Sequence, residues 1–369
     1  MIGRESFDVV VVGAGPGGSL AARFAAEGGA KTLLLDQRAE LGHPVQCGEF
    51  LPTARELKDL LPCPEVIDEA YQIPEETVLR STETMVCVSP YGRRYRFPLE
   101  GVSVSRRSFD KALALRAEGA GAELRFPAGV TRVERGEIGL AGGEKISTKV
   151  VIGADGPLST VARSLGYGVP RALYRMITAT VSGAFPPEIA LFFGTIAPGG
   201  YAWVIPKADE ANVGLGVLQI PPGRTLSTLL DAFLDRFQLG KAFARTRWWV
   251  PIGPPPATAV AAGALFVGDS ANLVMATNGG GIPTAMVSGR DAGVVAAAHV
   301  RRGAALEAYD SLLRDHVRGP LERANRVKRL GDRVVERDAL LALGMRYIGA
   351  GGLDSMMRLR WPKRLRWSS

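Results

Sequence analysis

Cysteine and histidine are scarce in this 369-residue chain, with three of each. Cys47, Cys63 and Cys87 have no metal-ligand spacing and are too few for a disulfide framework. His43, His299 and His316 are scattered, and none has a Ser or Cys partner at a suggestive distance. A metal site and a hydrolytic triad are therefore set aside. Neither an internal repeat nor a long low-complexity tract occurs, and 46% of residues are apolar, so the whole chain is expected to be globular. The longest apolar stretch, around Ala257 to Val267, is too short to span a bilayer. A strand begins almost at the N-terminus, which leaves no room for a signal peptide and makes a reducing cytoplasm the expected setting.

Glycine, by contrast, is abundant and clustered. Asp8 to Val12 is a β-branched run with the character of a buried parallel strand, and Ser19 to Ala26 continues as good helix formers. Between them lies Gly13-x-Gly15-x-x-Gly18, with Pro16 and Gly17 inside it. Gly13 permits the tight turn, Gly15 lets the backbone approach a pyrophosphate, and Gly18 lets helix and strand pack closely, with the phosphates on the helix N-terminus. A second strand, Lys31 to Leu35, ends in Asp36, where an acid is needed to accept ribose hydroxyls. The segment predicts dinucleotide binding.

Two further strand ends carry related turns: Lys149 to Ile152 runs into Asp155-Gly156, and Ala264 to Val267 runs into Gly268-Asp269. With the later Gly279, Gly280 and Gly281, they resemble the motifs of the flavoprotein group that includes p-hydroxybenzoate hydroxylase, geranylgeranyl reductases and flavin halogenases. The resemblance implies FAD, with the Asp269 carboxylate on the ribityl chain and the backbone of Gly280, Gly281 and Ile282 at the pyrimidine edge, where negative charge collects on reduction. Arg106, in Arg106-x-x-Phe109-Asp110, matches another position that contacts the cofactor in that group.

The expected fold class is α/β, with a Rossmann-like FAD-binding lobe, an antiparallel β-sheet substrate lobe and a C-terminal helical segment. Residues 1–70, 99–170 and 258–302 carry the strand and helix signals of the FAD lobe. Residues 71–98 and 171–257 alternate apolar and polar at period two, as an antiparallel roof over the flavin would. Residues 303–369 read as a basic helical segment.

Two segments bear on activity. His43-Pro44-Val45-Gln46-Cys47-Gly48-Glu49 and Pro198-x-x-Tyr201-x-Trp203-x-Ile205-Pro206 resemble the Pro-x-x-Cys-x-Glu and Pro-x-x-Tyr-x-Trp-x-Phe-Pro segments of the geranylgeranyl reductase family. Ile205 stands where that family has Phe, and the run Asn272 to Asn278 lacks the proline often found before the glycines. The resemblance implies that Cys47 and Gly48 lie near the flavin ring, that Cys47 is a catalytic candidate, and that Tyr201 and Trp203 line a cavity for an isoprenoid chain. Read by themselves, Cys47 is equally a packing residue, and Tyr201 and Trp203, on one face of a strand, are equally core. Trp248 and Trp249 read as packing. The implied reaction is saturation of C=C bonds in a polyprenyl chain on a lipid, quinone or isoprenoid diphosphate by hydride from reduced flavin, with NADPH, NADH or ferredoxin as electron donor.

Two other classes stay open: a flavin monooxygenase or halogenase, and a non-enzymatic prenyl-lipid binding protein. Halogenases of this group need an early active-site lysine, and no Lys lies between Lys58 and Lys111. Quinone oxidoreductases with an added iron–sulfur cluster are set aside, since no Cys follows Cys87.

The net charge of +8 is concentrated late: from Arg314 onward there are fourteen Lys/Arg against six Asp/Glu. The stretch Met356 to Trp367 interleaves cations with Leu, Met and Trp, as a chain that grips an anionic membrane surface does. No nucleic-acid motif accompanies this charge. The expected location is thus cytoplasmic, with peripheral attachment to a membrane. Nothing in the sequence signals an oligomeric state.

Overall fold

The structure, a computed structural model, describes residues 5–168, 172–332 and 337–362. Two eight-stranded sheets organise it. With strands numbered in chain order, the first runs β15 (Val260–Ala261), β16 (Ala264–Phe266), β9 (Lys145–Gly153), β1 (Ser6–Val12), β2 (Thr32–Leu35) and β6 (Glu123–Arg125), and the hairpin β7 (Val130–Glu134) and β8 (Glu137–Leu140) joins at β9. β1 is parallel to β2 and β9 on either side, so Val9, Val10 and Val11 are fully buried. That enclosure is why the run is continuously apolar rather than alternating.

The second sheet runs β14 (Ala242–Ile252), β10 (Ala172–Ser182), β13 (Glu210–Val217), β12 (Tyr201–Pro206), β11 (Glu188–Phe193), β4 (Val78–Val88), β5 (Arg94–Val104) and β3 (Phe50–Pro52). It is antiparallel except where β11 pairs parallel with β4. β3 comes from the first chain segment, and β5 extends to Val104, so the chain passes from the first sheet to the second through the Cys47 loop and returns to the first through α4, which starts at Arg106.

Helices α1 (Pro16–Glu27), α2 (Ala54–Lys58), α3 (Pro64–Ala70), α4 (Arg106–Gly119) and α5 (Thr160–Ser164) belong to the first half of the chain. α6 (Leu226–Phe237) covers one face of the second sheet, packing Leu229, Leu230 and Phe233 against Val213, Leu215 and Phe192. The period-two alternation of β12 sends Ala202 and Val204 to that face and Trp203 and Ile205 to the other. α7 (Ile282–Arg302) lies against α1 at unusually close range, because Gly289 and Gly293 face its backbone. A Cβ on Gly289 would stand 2.1 Å from the Gly17 carbonyl oxygen.

The C-terminal segment is helical, with α8 (Ala308–Leu313), α9 (Gly319–Asp332) and α10 (Asp338–Met357), the last kinked at Gly349 where φ is +65°. A π-helical turn between α8 and α9 sets His316 Nδ1 2.7 Å from the fully buried Asp291 carboxylate. The basic stretch expected to grip a membrane is not a free tail at its start. Met357 and Leu359 are buried, and Arg358 pairs with Glu56 of α2 and with Asp354 at 2.8 Å. Burying Met and Leu and satisfying the guanidinium internally outweighs any gain from leaving them in water. Residues 363–367 of that stretch lie outside the described residues.

Candidate functional site

One cavity of about 820 Å³ is walled by both sheets. Gly13, Gly15, Pro16, Gly17 and Asp36 line it, as do Asp155, Gly156, Gly268, Asp269, Gly280, Gly281 and Ile282 from later in the chain. Cys47, Gly48, Arg106, Tyr201 and Trp203 line it as well. Gly18 stands behind the wall, where a Cβ would lie 1.8 Å from the Gly13 carbonyl oxygen. Gly13 has φ of +102° and almost touches Ala154, so its role is in the turn itself. Gly15 is different: an added Cβ there has no protein atom within 4 Å. The space in front of Gly15 belongs to the cavity.

Two helix N-termini open on this space. Gly15 is the N-cap of α1 and Gly281 that of α7, and neither helix has a side-chain cap. Uncapped first-turn amides and the positive end of the helix dipole are the elements of an anion site. Farther along, Asp36 accepts from the Ala14 amide at 2.8 Å and from the Arg38 fork at 2.9 and 2.7 Å. Burial opposes ionisation of Asp36, but the Arg38 guanidinium and the backbone donors prevail and hold its carboxyl below the ordinary range. Asp155 turns its carboxylate to the start of α5, accepting from Ser159 Oγ and the Thr160 amide at 2.6 Å each. The Asp-Gly turn thus sits on the cavity wall with its carboxylate engaged in holding its own loop.

The Cys47 loop is fixed by a buried polar network that sequence reading did not anticipate. Asn212 of β13 is at its centre. Its carboxamide oxygen accepts from Trp203 Nε1 and Thr178 Oγ1, both at 2.8 Å, and its nitrogen donates to the Cys47 carbonyl at 2.9 Å and to Glu49 Oε2 at 3.0 Å. All four hydrogen-bonding sites of the side chain are filled. Glu49, almost fully buried, also receives the Arg106 amide at 3.1 Å and the Lys207 ammonium at 2.8 Å. Burial disfavours the charged form of Lys207, but Glu49 and Glu210 more than restore it and raise its pKa. The Glu49 amide donates to Cys47 Sγ at 3.2 Å, and the Arg106 guanidinium, itself held by Asp110 at 2.9 and 2.8 Å, also faces that sulfur. A polar residue within the otherwise apolar strand Ala211 to Val217 was the available signal.

The other wall is apolar. Phe50, Met85, Leu99, Ile189, Leu191 and Met357 join Trp203 and Ile205 there. Gly214 lies under the Trp203 indole, where any side chain would collide with the ring at 2.3 Å. Ile205 packs toward Gly48, whose added Cβ would lie 2.8 Å from Ile205 Cδ1, so a larger residue at 205 would press on the Cys47 loop. Tyr201 donates from its hydroxyl to the Asn278 carbonyl and so ties β12 to the glycine loop before α7. Trp248, expected only to pack, lines the cavity, while Trp249 next to it is 38% exposed. Edge-strand alternation puts one indole on each face.

Comparison with known proteins follows the same division. Residues 11–52 match the family model of an NAD(P)-binding Rossmann-like domain, and residues 172–245 match that of the geranylgeranyl reductase catalytic domain. A digeranylgeranylglycerophospholipid reductase of Methanocella arvoryzae is 34% identical over 90% of this chain and 88% of its own. The chain belongs to the geranylgeranyl reductase family. A second digeranylgeranylglycerophospholipid reductase, from Methanocaldococcus jannaschii, is 35% identical over 81% of this chain and 78% of its own. Among solved structures, a geranylgeranyl bacteriochlorophyll reductase-like protein from Thermoplasma acidophilum superposes with a TM-score of 0.83 at 25% identity, covering 98% of each chain. A probable FAD-dependent monooxygenase from Pseudomonas aeruginosa, 17% identical with a TM-score of 0.67 over 93% of this chain and 100% of its own, shares the fold alone. The protein is accordingly an FAD-dependent oxidoreductase, and the open space before Gly15 between two uncapped helix N-termini fits that cofactor. No group of His, Cys, Asp and Glu suited to a metal occurs among the described residues. None of the described helices is long and apolar enough to cross a membrane.

Proposed function

We propose that this reductase saturates the C=C bonds of geranylgeranyl chains carried on a membrane glycerophospholipid. The observation that carries the reading is continuity: the glycine-lined wall that would hold FAD and the apolar wall of Met85, Ile189, Leu191, Trp203 and Ile205 belong to one cavity, and Cys47 lines it too. The names of the relatives favour a lipid headgroup over a quinone or a free diphosphate.

FAD held here and reduced by NADPH, NADH or ferredoxin would supply the hydride for one alkene carbon, with a proton required at the other. An isolated alkene is barely electrophilic, so positive charge builds at its more substituted carbon. The residues of this chain keep water from that carbon: Trp203 is held flat over Gly214 by its bond to Asn212, and Met85, Ile189 and Leu191 complete a dry wall. Gly13, Gly15, Pro16 and Gly17, with Asp36 and Arg38, would hold the pyrophosphate and adenosine. Arg106, Gly268 and Asp269 would hold the ribityl chain, and Gly280, Gly281 and Ile282 would meet the ring edge. In this reading Tyr201 and Trp203 are the chain-side contacts and Cys47, beside Gly48, is the catalytic candidate on the flavin side. Its sulfur accepts from the Glu49 amide, an arrangement that orients it without requiring it to be the acid.

The test is anaerobic turnover. Reduced enzyme should be reoxidised by a digeranylgeranyl glycerophospholipid whose mass rises by whole hydrogen pairs. Cys47→Ser should slow this step with FAD still bound, and Trp203→Ala should change chain selectivity more than flavin content. A product that gains oxygen or halogen, or prenyl binding with no flavin redox change, would overturn the proposal.

A further inference from the structure

The first half of α10 is apolar on two opposite sides. Leu341 and Met345 turn inward, into the cluster that contains Trp203 and Ile205. Leu340, Leu343 and Tyr347, at positions that fall on one side of a helix, are 43%, 64% and 55% exposed. At 100° per residue Arg346 falls on one flank of this stripe, Arg337 is the N-cap residue where the helix starts, and both are exposed. Between Arg337 and Pro362 every exposed charged residue is an arginine, the third being Arg360. Asp338, the carboxylate at the start of the helix, is occupied by the Thr195 amide and hydroxyl at 2.8 and 2.7 Å.

We propose that this outward face of α10 seats the enzyme on the anionic bilayer that holds its substrate. The lipid identity of that substrate rests on the function proposed above. An apolar stripe with one cation at its start and another on its flank is the pattern of a helix lying in a membrane interface, with leucines below the headgroups and guanidinium groups reaching to the phosphates. A second copy of the chain is a poorer occupant, since a twofold contact made through this face would gather four arginines, Arg337 and Arg346 of each copy, with no exposed carboxylate on α10 beside them. Position argues the same way. The inner face of the helix packs on the residues that line the chain cavity, and its far end supplies Met357 and Arg358 to the cavity wall. A bilayer at the outer face therefore lies one helix away from the space the lipid chain has to enter. The surface differs from the basic stretch after Met356, part of which is packed internally.

The experiment uses the full-length, FAD-loaded enzyme and flotation with vesicles of equimolar phosphatidylglycerol and phosphatidylcholine. Leu340→Asp with Leu343→Asp should lower vesicle partitioning at least ~10-fold, and Arg337→Gln or Arg346→Gln should lower it about fivefold each at low salt. Both leucines are solvent-facing, so unfolding midpoint and flavin content should not change. Turnover of detergent-dispersed lipid should be retained by the double variant, while turnover of vesicle-embedded lipid falls. Equal flotation of the double variant and the unaltered enzyme overturns the proposal, as does a leucine-dependent shift in sedimentation, which would assign the face to a second copy. If the unaltered enzyme reduces no lipid in detergent, the reductase reading fails instead, and flotation still decides the docking face.

Discussion

Replacing Asn212 with leucine should loosen the Cys47 loop and destabilise the protein by a calculable amount. The substitution keeps the branched shape but removes four hydrogen bonds. Two of the partners retain alternatives: Thr178 Oγ1 also reaches the Val213 carbonyl at 3.4 Å, and Glu49 keeps Lys207 and the Arg106 amide. Trp203 Nε1 and the Cys47 carbonyl lose the bonds that hold them. At about 1–3 kcal/mol for each stranded group, the cost is about 2–6 kcal/mol. In a chain of this size that lowers the unfolding midpoint by roughly 3–8 °C. The loop itself can be followed through its thiol. Cys63 and Cys87 are buried, and burial pushes both thiols up to about 12, so alkylation by iodoacetamide near neutral pH reports on Cys47. Leucine at 212 should change that alkylation rate severalfold. Asn212→Asp keeps the acceptor for Trp203 but sets a carboxylate against Glu49, so it should be the less stable of the two variants near pH 8 and recover on acidification. A leucine variant that melts with the parent and is alkylated at the parent rate would refute the account of the network.

Gly15→Val should abolish FAD retention yet leave the unfolding midpoint of the flavin-free protein nearly unchanged, because its side chain enters the cavity rather than the protein, whereas Gly18→Ala should lower that midpoint by colliding with Gly13; spectrophotometric flavin content beside thermal melts of the flavin-free proteins separates the two. The hydrogen bond that His316 donates to the Asp291 carboxylate raises the pKa of His316 against the opposing effect of burial. The protonated pair therefore stabilises the fold fully below the unfolded value of about 6.5, and the gain is lost as pH rises through the raised folded value. The midpoint difference between the parent and His316→Gln should be largest near pH 5.5 and shrink toward pH 8.5, and a difference that grows with pH would contradict the assignment.

The local parts of the site were legible because their physics is local. A β-branched strand, a glycine turn and a helix start define the Gly13–Gly18 cradle within a few residues, and the Gly-Asp turn after β16 is equally self-contained. Of the residues expected from sequence to form the site, only Gly18 stands off the cavity wall, and it serves the turn from behind. What escaped prediction depends on partners far along the chain. The four contacts of Asn212 come from β10, from β12 and from the Cys47 loop. Arg358 reads as part of a basic tail until Glu56 is placed beside it. Trp248 and Trp249 could not be told apart before the edge strand that separates their faces was known.

The interleaving of the two sheets also sets a timetable for synthesis. Val10 pairs with Leu33 on one side but with Val151 on the other, and β9 in turn waits for β16. At about 5–20 residues per second, the nascent dinucleotide strand spends roughly 7–28 seconds with one flank unpaired, and the lobe is completed only when α7 emerges. During that interval a fully apolar strand is open to the wrong neighbours, so yield in a fast-translating host should depend on chaperones more than the stability of the finished protein would suggest.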